Sequence, residues 1–178
     1  WVVGLDQDLG HDKTVYKTTD GGATWVLAMN QGGYMWAVDF TDQQHGWVIT
    51  VGGLVLLTTD GGTNWQPVFF PPYFITPTIS DIEFADQNTG WVVGWDGLVA
   101  HTTDGGLTWN YQNIGTTTDH LFSVHVLSPT EAWASGRNAN LPMDGVVYHT
   151  IDGGLTWTNE TVGPNPYWGY SIAATSRN

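Results

Sequence analysis

The chain has 178 residues, 41% of them hydrophobic, and a formal net charge of -13. Its only basic residues are Lys13, Lys17, Arg137 and Arg177, which argues against a nucleic-acid or anionic-membrane partner held by charge. It has no cysteine, which excludes disulfides and thiolate metal sites, and no apolar run reaches the roughly 18 residues of a membrane helix.

WVVG, beginning at Trp1, opens the chain as a strand. The loop DQDLGHD follows, with Asp6, Asp8 and Asp12 placing carboxylates around Gly10. Such oxygen-rich spacing suits calcium, but the full acidic loop pattern is absent, and a solvated acidic turn has the same composition. Next comes TTDGGATW at Thr18–Trp25. The phrase returns as TTDGGTNW at Thr58–Trp65, TTDGGLTW at Thr102–Trp109 and TIDGGLTW at Thr150–Trp157. Its aspartates, Asp20, Asp60, Asp104 and Asp152, stand 40, 44 and 48 residues apart. A period of that size marks a propeller or solenoid, in which each unit cannot bury its apolar face alone.

The third unit shows the unit's plan. Ile79–Asp86 alternates as a first strand and Trp91–Trp95 forms a second. Asp96–Gly97 is a two-residue hairpin signal, Leu98–Thr103 is a third strand and Leu107–Ile114 a fourth. Four short antiparallel strands per 40–50 residues make a propeller blade. The expected fold is therefore all-β, a β-propeller of four four-stranded blades. Blade one is residues 1–34 plus 167–178, blade two 35–78, blade three 79–120 and blade four 121–166. Trp1, Trp47, Trp91 and Trp133 share the second-strand register. By this count the N-terminus enters at a second strand, as in a processed or excised product. The C-terminal strand then completes the first blade, in its own chain or a neighbouring one. A piece of a larger propeller is the other reading.

In the repeated phrase the aspartate and the preceding threonine can accept turn N–H groups, the glycines supply positive φ, and the tryptophan returns to pack between blades. The phrase fits S/T-x-D-x-G-x-x-W, the Asp-box or BNR repeat, at Asp20, Gly22 and Trp25, at Asp60, Gly62 and Trp65, at Asp104, Gly106 and Trp109, and at Asp152, Gly154 and Trp157. Upstream, DQQHGWVIT and DQNTGWVVG resemble the photosystem II assembly-factor branch of these propellers. The resemblance implies that the box is a folding element away from the ligand face, with no catalytic role. It also implies a non-enzymatic scaffold that binds another protein.

Three further sets of residues are candidates for a site. Asp39, Glu83, His125 and Ser171 are aligned on the first strands, which line a propeller axis, and could hold a cation or ordered water; a wet polar channel is the alternative. Tyr34, Trp36, Tyr73, Trp95 and Trp168 collect at one end of the blades, where exposed rings suit a sugar or a protein. Asn159 begins an N-glycosylation sequon. A sialidase needs an arginine cluster, and Arg137 with Arg177 does not supply one. Asp39–Glu83 and Asp81–Glu83 are the only carboxylate pairs a glycosidase could use, and nothing marks either as an acid. The expected function is a non-enzymatic extracellular or cell-surface interaction propeller, such as a filament subunit. It would need no cofactor beyond calcium, with self-association or another protein as partner, a glycan as a further ligand, and no nucleic acid or membrane insertion. A carbohydrate-binding or assembly-factor module, or part of a glycoside hydrolase propeller, is the alternative.

Overall fold

The computed structural model describes residues 1–5, 13–30, 35–50, 53–68, 79–116, 118–139, 144–160 and 170–175. Among these no residue is helical, and fifteen strands form four antiparallel sheets. The first sheet is β1 (Val2–Leu5), β2 (Lys13–Lys17) and β3 (Val26–Asn30). The second is β4 (Met35–Phe40), β5 (Gly46–Thr50), β6 (Val55–Thr58) and β7 (Gln66–Val68). The third is β8 (Ile79–Phe84), β9 (Gly90–Gly94), β10 (Val99–Thr102) and β11 (Asn110–Tyr111). The fourth is β12 (His120–Ser128), β13 (Glu131–Arg137), β14 (Gly145–Thr150) and β15 (Thr158–Asn159). Within each sheet the strands pair in chain order. This is the four-bladed propeller that the repeat predicts.

Local chemistry sets the turns. Asp96 and Gly97 both have positive φ, 57° and 70°, and Leu98 N–H donates to Trp95 O at 3.1 Å. Two successive left-handed residues give the turn whose twist suits a hairpin, and Asp-Gly tolerates them best. The outermost strand is shorter than expected. Asn110 and Tyr111 pair with β10 and Gln112 N–H donates to Val99 O at 2.9 Å; the strand starts late because the box turn runs on through Trp109.

The core lies between blades rather than inside any one of them. Three apolar clusters join successive sheets. One holds Val15, Met35 and Val48, with Trp1 and Trp65 against it. The next holds Trp47, Phe84 and Trp109, and the last Trp91, Leu121 and Val126, with Trp157 against it. Trp47 and Trp91 are 1% and 0% exposed. Blade one contributes three strands among the described residues. The C-terminal segment 170–175 pairs in no ladder, and its described contacts are with Phe122, Ser123 and His125 of β12. That is where the inner strand of a following blade would lie. Completion of blade one by this segment stands as a proposal.

Candidate functional site

The box turns are built alike in all four blades. In blade three, Thr102 Oγ1 donates to Asp104 Oδ1 at 2.8 Å and accepts Gly106 N–H at 2.9 Å. Asp104 also accepts from Thr108 N–H at 2.8 Å and Thr108 Oγ1 at 2.6 Å. Asp20, Asp60 and Asp152 hold the same positions in their own turns. All eight box glycines have φ between 67° and 94°. Every lone pair aimed at a donor is already engaged inside the turn. These aspartates are therefore turn-formers, with no oxygen set aside to take a substrate proton.

Hydrogen bonding lowers their pKa values. Asp20 and Asp152 fall to about 2, held mainly by the side chains of Thr24 and Thr156. Asp60 falls to about 2 through Asn64 N–H first. Asp104 is lowered too; burial opposes the shift, and its bonds from Thr108 and Thr102 outweigh it.

The first glycine of the second, third and fourth boxes also receives the preceding blade. Gly61 O accepts from Lys17 Nζ at 2.9 Å, Gly105 O from Trp47 Nε1 at 2.9 Å, and Gly153 O from Gln112 Nε2 at 2.7 Å. Three chemically different donors thus meet one repeated acceptor. Around it the rings stack: Trp1 on Phe40 at 3.8 Å and Trp47 on Phe84 at 3.5 Å, with Trp65 and Trp109 edge-on. In the last interface Val126 replaces the phenylalanine. There Gln112 Oε1 ties Trp91 Nε1 at 3.1 Å to Trp157 Nε1 at 3.0 Å.

The inner strands are joined by carboxylates. Asp39 accepts from Phe40 N–H in its own strand and from Phe84 N–H in the next blade, both at 2.8 Å. Asp81 does the same with Ile82 and Val124, each at 3.0 Å. Glu83 Oε1 lies 3.1 Å from His125 Nδ1. Burial raises the pKa of Asp39, Asp81 and Glu83, partly offset by these bonds and by the imidazole. Asp39, Glu83 and His125 therefore lie on one inner layer. Ser171 does not join them and is corrected here. Ser123 Oγ accepts Ile172 N–H at 3.4 Å, and His125 Nε2 meets Ala174 O at 3.0 Å, which sets Ala173 at their level. No group of three or more metal-ligating side chains gathers among the described residues. Asp39 and Asp81 spend their oxygens on backbone amides instead.

These shifts predict a stability optimum in mildly acidic solution. A box aspartate, depressed when folded, stabilises above its unfolded value of about 3.9, and that contribution is lost as pH falls toward 2. Asp39 and Asp81, raised when folded, weaken the fold while charged, and acid relieves them. The urea midpoint is expected to rise as pH falls from neutrality toward the unfolded carboxylate value of about 4, and to fall steeply between about 4 and 2. A steady decline from neutrality downward would contradict these assignments.

At the end of the blades where the inner strands begin, Trp36 is 56% and Trp95 45% exposed. The Trp95 ring lies 4.7 Å from that of His120. Asp96 N–H donates to His120 Nδ1 at 3.3 Å, which makes Nδ1 an acceptor. Below them Asp119, 2% exposed, accepts from Tyr148 Oη–H at 2.6 Å. Burial, and then that carboxylate, raises the pKa of Tyr148, which stays protonated as a donor. Asn159 lies exposed in β15. Tyr34, Tyr73 and Trp168 lie outside the described residues, as do Asp6, Asp8 and Asp12. Sequence reasoning missed Gln112, and it weighed Asp81 only as one half of a glycosidase pair. Neither side chain recurs at its repeat position, so periodicity gave no signal.

Residues 73–174, more than half of the chain, match the family described as photosynthesis system II assembly factor YCF48. The chain belongs to that family. A curated Ycf48 relative, the photosystem II assembly lipoprotein of Synechococcus sp. (strain CC9902), is 34% identical over 79 residues, covering 38% of this chain and 23% of the relative. A solved structure titled "YCF48 bound to D1 peptide" superposes with a TM-score of 0.60 and 26% identity, covering 71% of this chain and 40% of that one. An ancestral GH74 enzyme superposes with a TM-score of 0.68 at 16% identity, covering 94% of this chain and 26% of the enzyme, and shows the fold alone. The chain thus spans less than half the length of these Ycf48 relatives. The expected extracellular or cell-surface location is corrected by the lipoprotein of photosystem II assembly. Nothing in these likenesses supports a filament subunit.

Proposed function

We propose that this chain is a non-enzymatic protein-assembly module of the Ycf48 kind, which receives an extended segment of a photosystem II polypeptide on its aromatic end. The observation that carries the reading is the pair of exposed indoles, Trp36 and Trp95, at the end opposite the box turns. Large exposed rings are the residues from which protein interfaces draw most of their energy. Family membership supports a protein partner, since a solved relative carries a D1 peptide. The net charge of -13 favours a segment that brings positive charge and steers it at long range. The inner-strand carboxylates Asp39, Asp81 and Glu83 are engaged with backbone amides or with the histidine, which supports binding without chemistry.

Intrinsic tryptophan fluorescence tests this with a synthetic D1 peptide. Trp36→Ala and Trp95→Ala are each expected to weaken binding by roughly tenfold or more, with the urea midpoint unchanged. Peptide affinity unaltered in both variants would overturn the proposal. Saturable binding of a xyloglucan oligosaccharide, with none of the peptide, would support the carbohydrate reading instead.

A further inference from the structure

The C-terminal segment 170–175 lies along β12 without pairing into its ladder. Three contacts hold it. Tyr170 stacks on Phe122 at 5.3 Å, Ile172 N–H reaches Ser123 Oγ at 3.4 Å, and Ala174 O lies 3.0 Å from His125 Nε2. Tyr170 remains 64% exposed, so the segment is lightly held. The other ring nitrogen of His125, Nδ1, faces Glu83 Oε1 at 3.1 Å.

Both partners of this ring are acceptors. A backbone carbonyl has no proton to give, and neither has a carboxylate. A neutral imidazole carries one N–H and can satisfy only one of them. With the proton on Nε2, the Nδ1 lone pair faces the Glu83 carboxylate. With the proton on Nδ1, the Nε2 lone pair faces the Ala174 carbonyl. Both bonds together need two protons on the pair, and the doubly protonated ring facing an ionised Glu83 supplies them.

We propose that His125 is a proton-operated clasp: as imidazolium it joins blade three, blade four and the segment 170–175, and as neutral imidazole it releases the segment. The charged surroundings favour this role. Glu83 faces the ring from β8, and Asp39 of β4 lies near enough to Glu83 to act on its charge. Asp81 of β8 is tied to Ile82 and Val124 amides. From β13 the cross-strand partner is Trp133, which is uncharged. The segment itself brings no ionisable group except the Tyr170 phenol. The His125 side chain is 27% exposed, so solvent protons reach it. The clasp also shows how one inner strand can be gripped at a main-chain carbonyl where Asp39 and Asp81 grip main-chain N–H groups.

Nitrogen-15 NMR of the whole chain tests this between about pH 5 and 8, the range in which histidine changes charge. At the acidic end both His125 ring nitrogens are expected to carry protons and the Ile172 amide to be protected. On going to pH 8, Ile172 exchange should accelerate roughly three- to tenfold beyond the intrinsic rise measured on an unstructured peptide, the equivalent of one lost hydrogen bond. His125→Gln should abolish that excess while leaving the β12–β13 amides protected. Glu83→Gln should move the opening to lower pH. An Ile172 amide that follows the intrinsic rate across the whole range, or the same pH response in His125→Gln, would overturn the clasp. No partner peptide is present in this experiment, so its outcome is separate from that of the partner-binding reading.

Discussion

Trp47→Ala is expected to lower folding stability by about 4 kcal/mol, the cost of emptying a well-packed aromatic site. The indole is 1% exposed, stacks on Phe84 at 3.5 Å and donates to Gly105 O at 2.9 Å. Its removal opens a void between blades two and three and leaves a box carbonyl without its donor. Trp25→Ala is the internal control. Trp25 belongs to the same phrase as Trp109, but it is 46% exposed against 4%, because no inner strand covers it among the described residues. Its truncation should cost under about 1 kcal/mol. Urea unfolding of both variants separates packing from tryptophan content. Equal losses would mean that the interfaces do not carry the stability.

Gly106→Ala is the second large effect, at about 2–3 kcal/mol. Its φ of 88° disfavours any side chain. A Cβ there would also lie 3.3 Å from both the Trp109 ring and Trp47 Nε1. Gly21→Ala has a φ of 70° but meets nothing within 4 Å, so only the backbone term, about 1 kcal/mol, should remain. The difference between the two isolates the blade interface from the turn. Matching losses would show that turn conformation alone explains the glycines.

How much of this was legible in the residues follows from the range of each interaction. The box turn is local: Thr102, Asp104, Gly106 and Thr108 meet within one turn, so their spacing announces it. The tryptophan register was legible because a second-strand indole packs into the apolar cluster at every described interface. The carboxylate links were not. Asp81 meets Val124, 43 residues on, and the equivalent positions hold Ala37 and Ser123. The box carbonyl is met by Lys17, Trp47 and Gln112 in turn, so the acceptor repeats while the donor does not. Ser171 was misplaced for a different reason. A strand shifted by two residues keeps every side chain on its face, so alternation cannot detect the error. The exposed Trp36 and Trp95 were legible as aromatics outside both registers, but burial, not spacing, distinguishes them from core.

Two layers join the blades: an aromatic stack against the box turn at the first two interfaces, and an inner carboxylate on the neighbour's backbone at the last two. Native-state hydrogen exchange at the Phe84 and Val124 amides tests that account most directly. Neither donates across a blade boundary unless Asp39 and Asp81 accept. Both are expected to exchange as slowly as the ladder amides of β9, and each to lose protection in Asp39→Ala or Asp81→Ala alone. Exchange at the rate of the exposed box turns in the unaltered chain would contradict it.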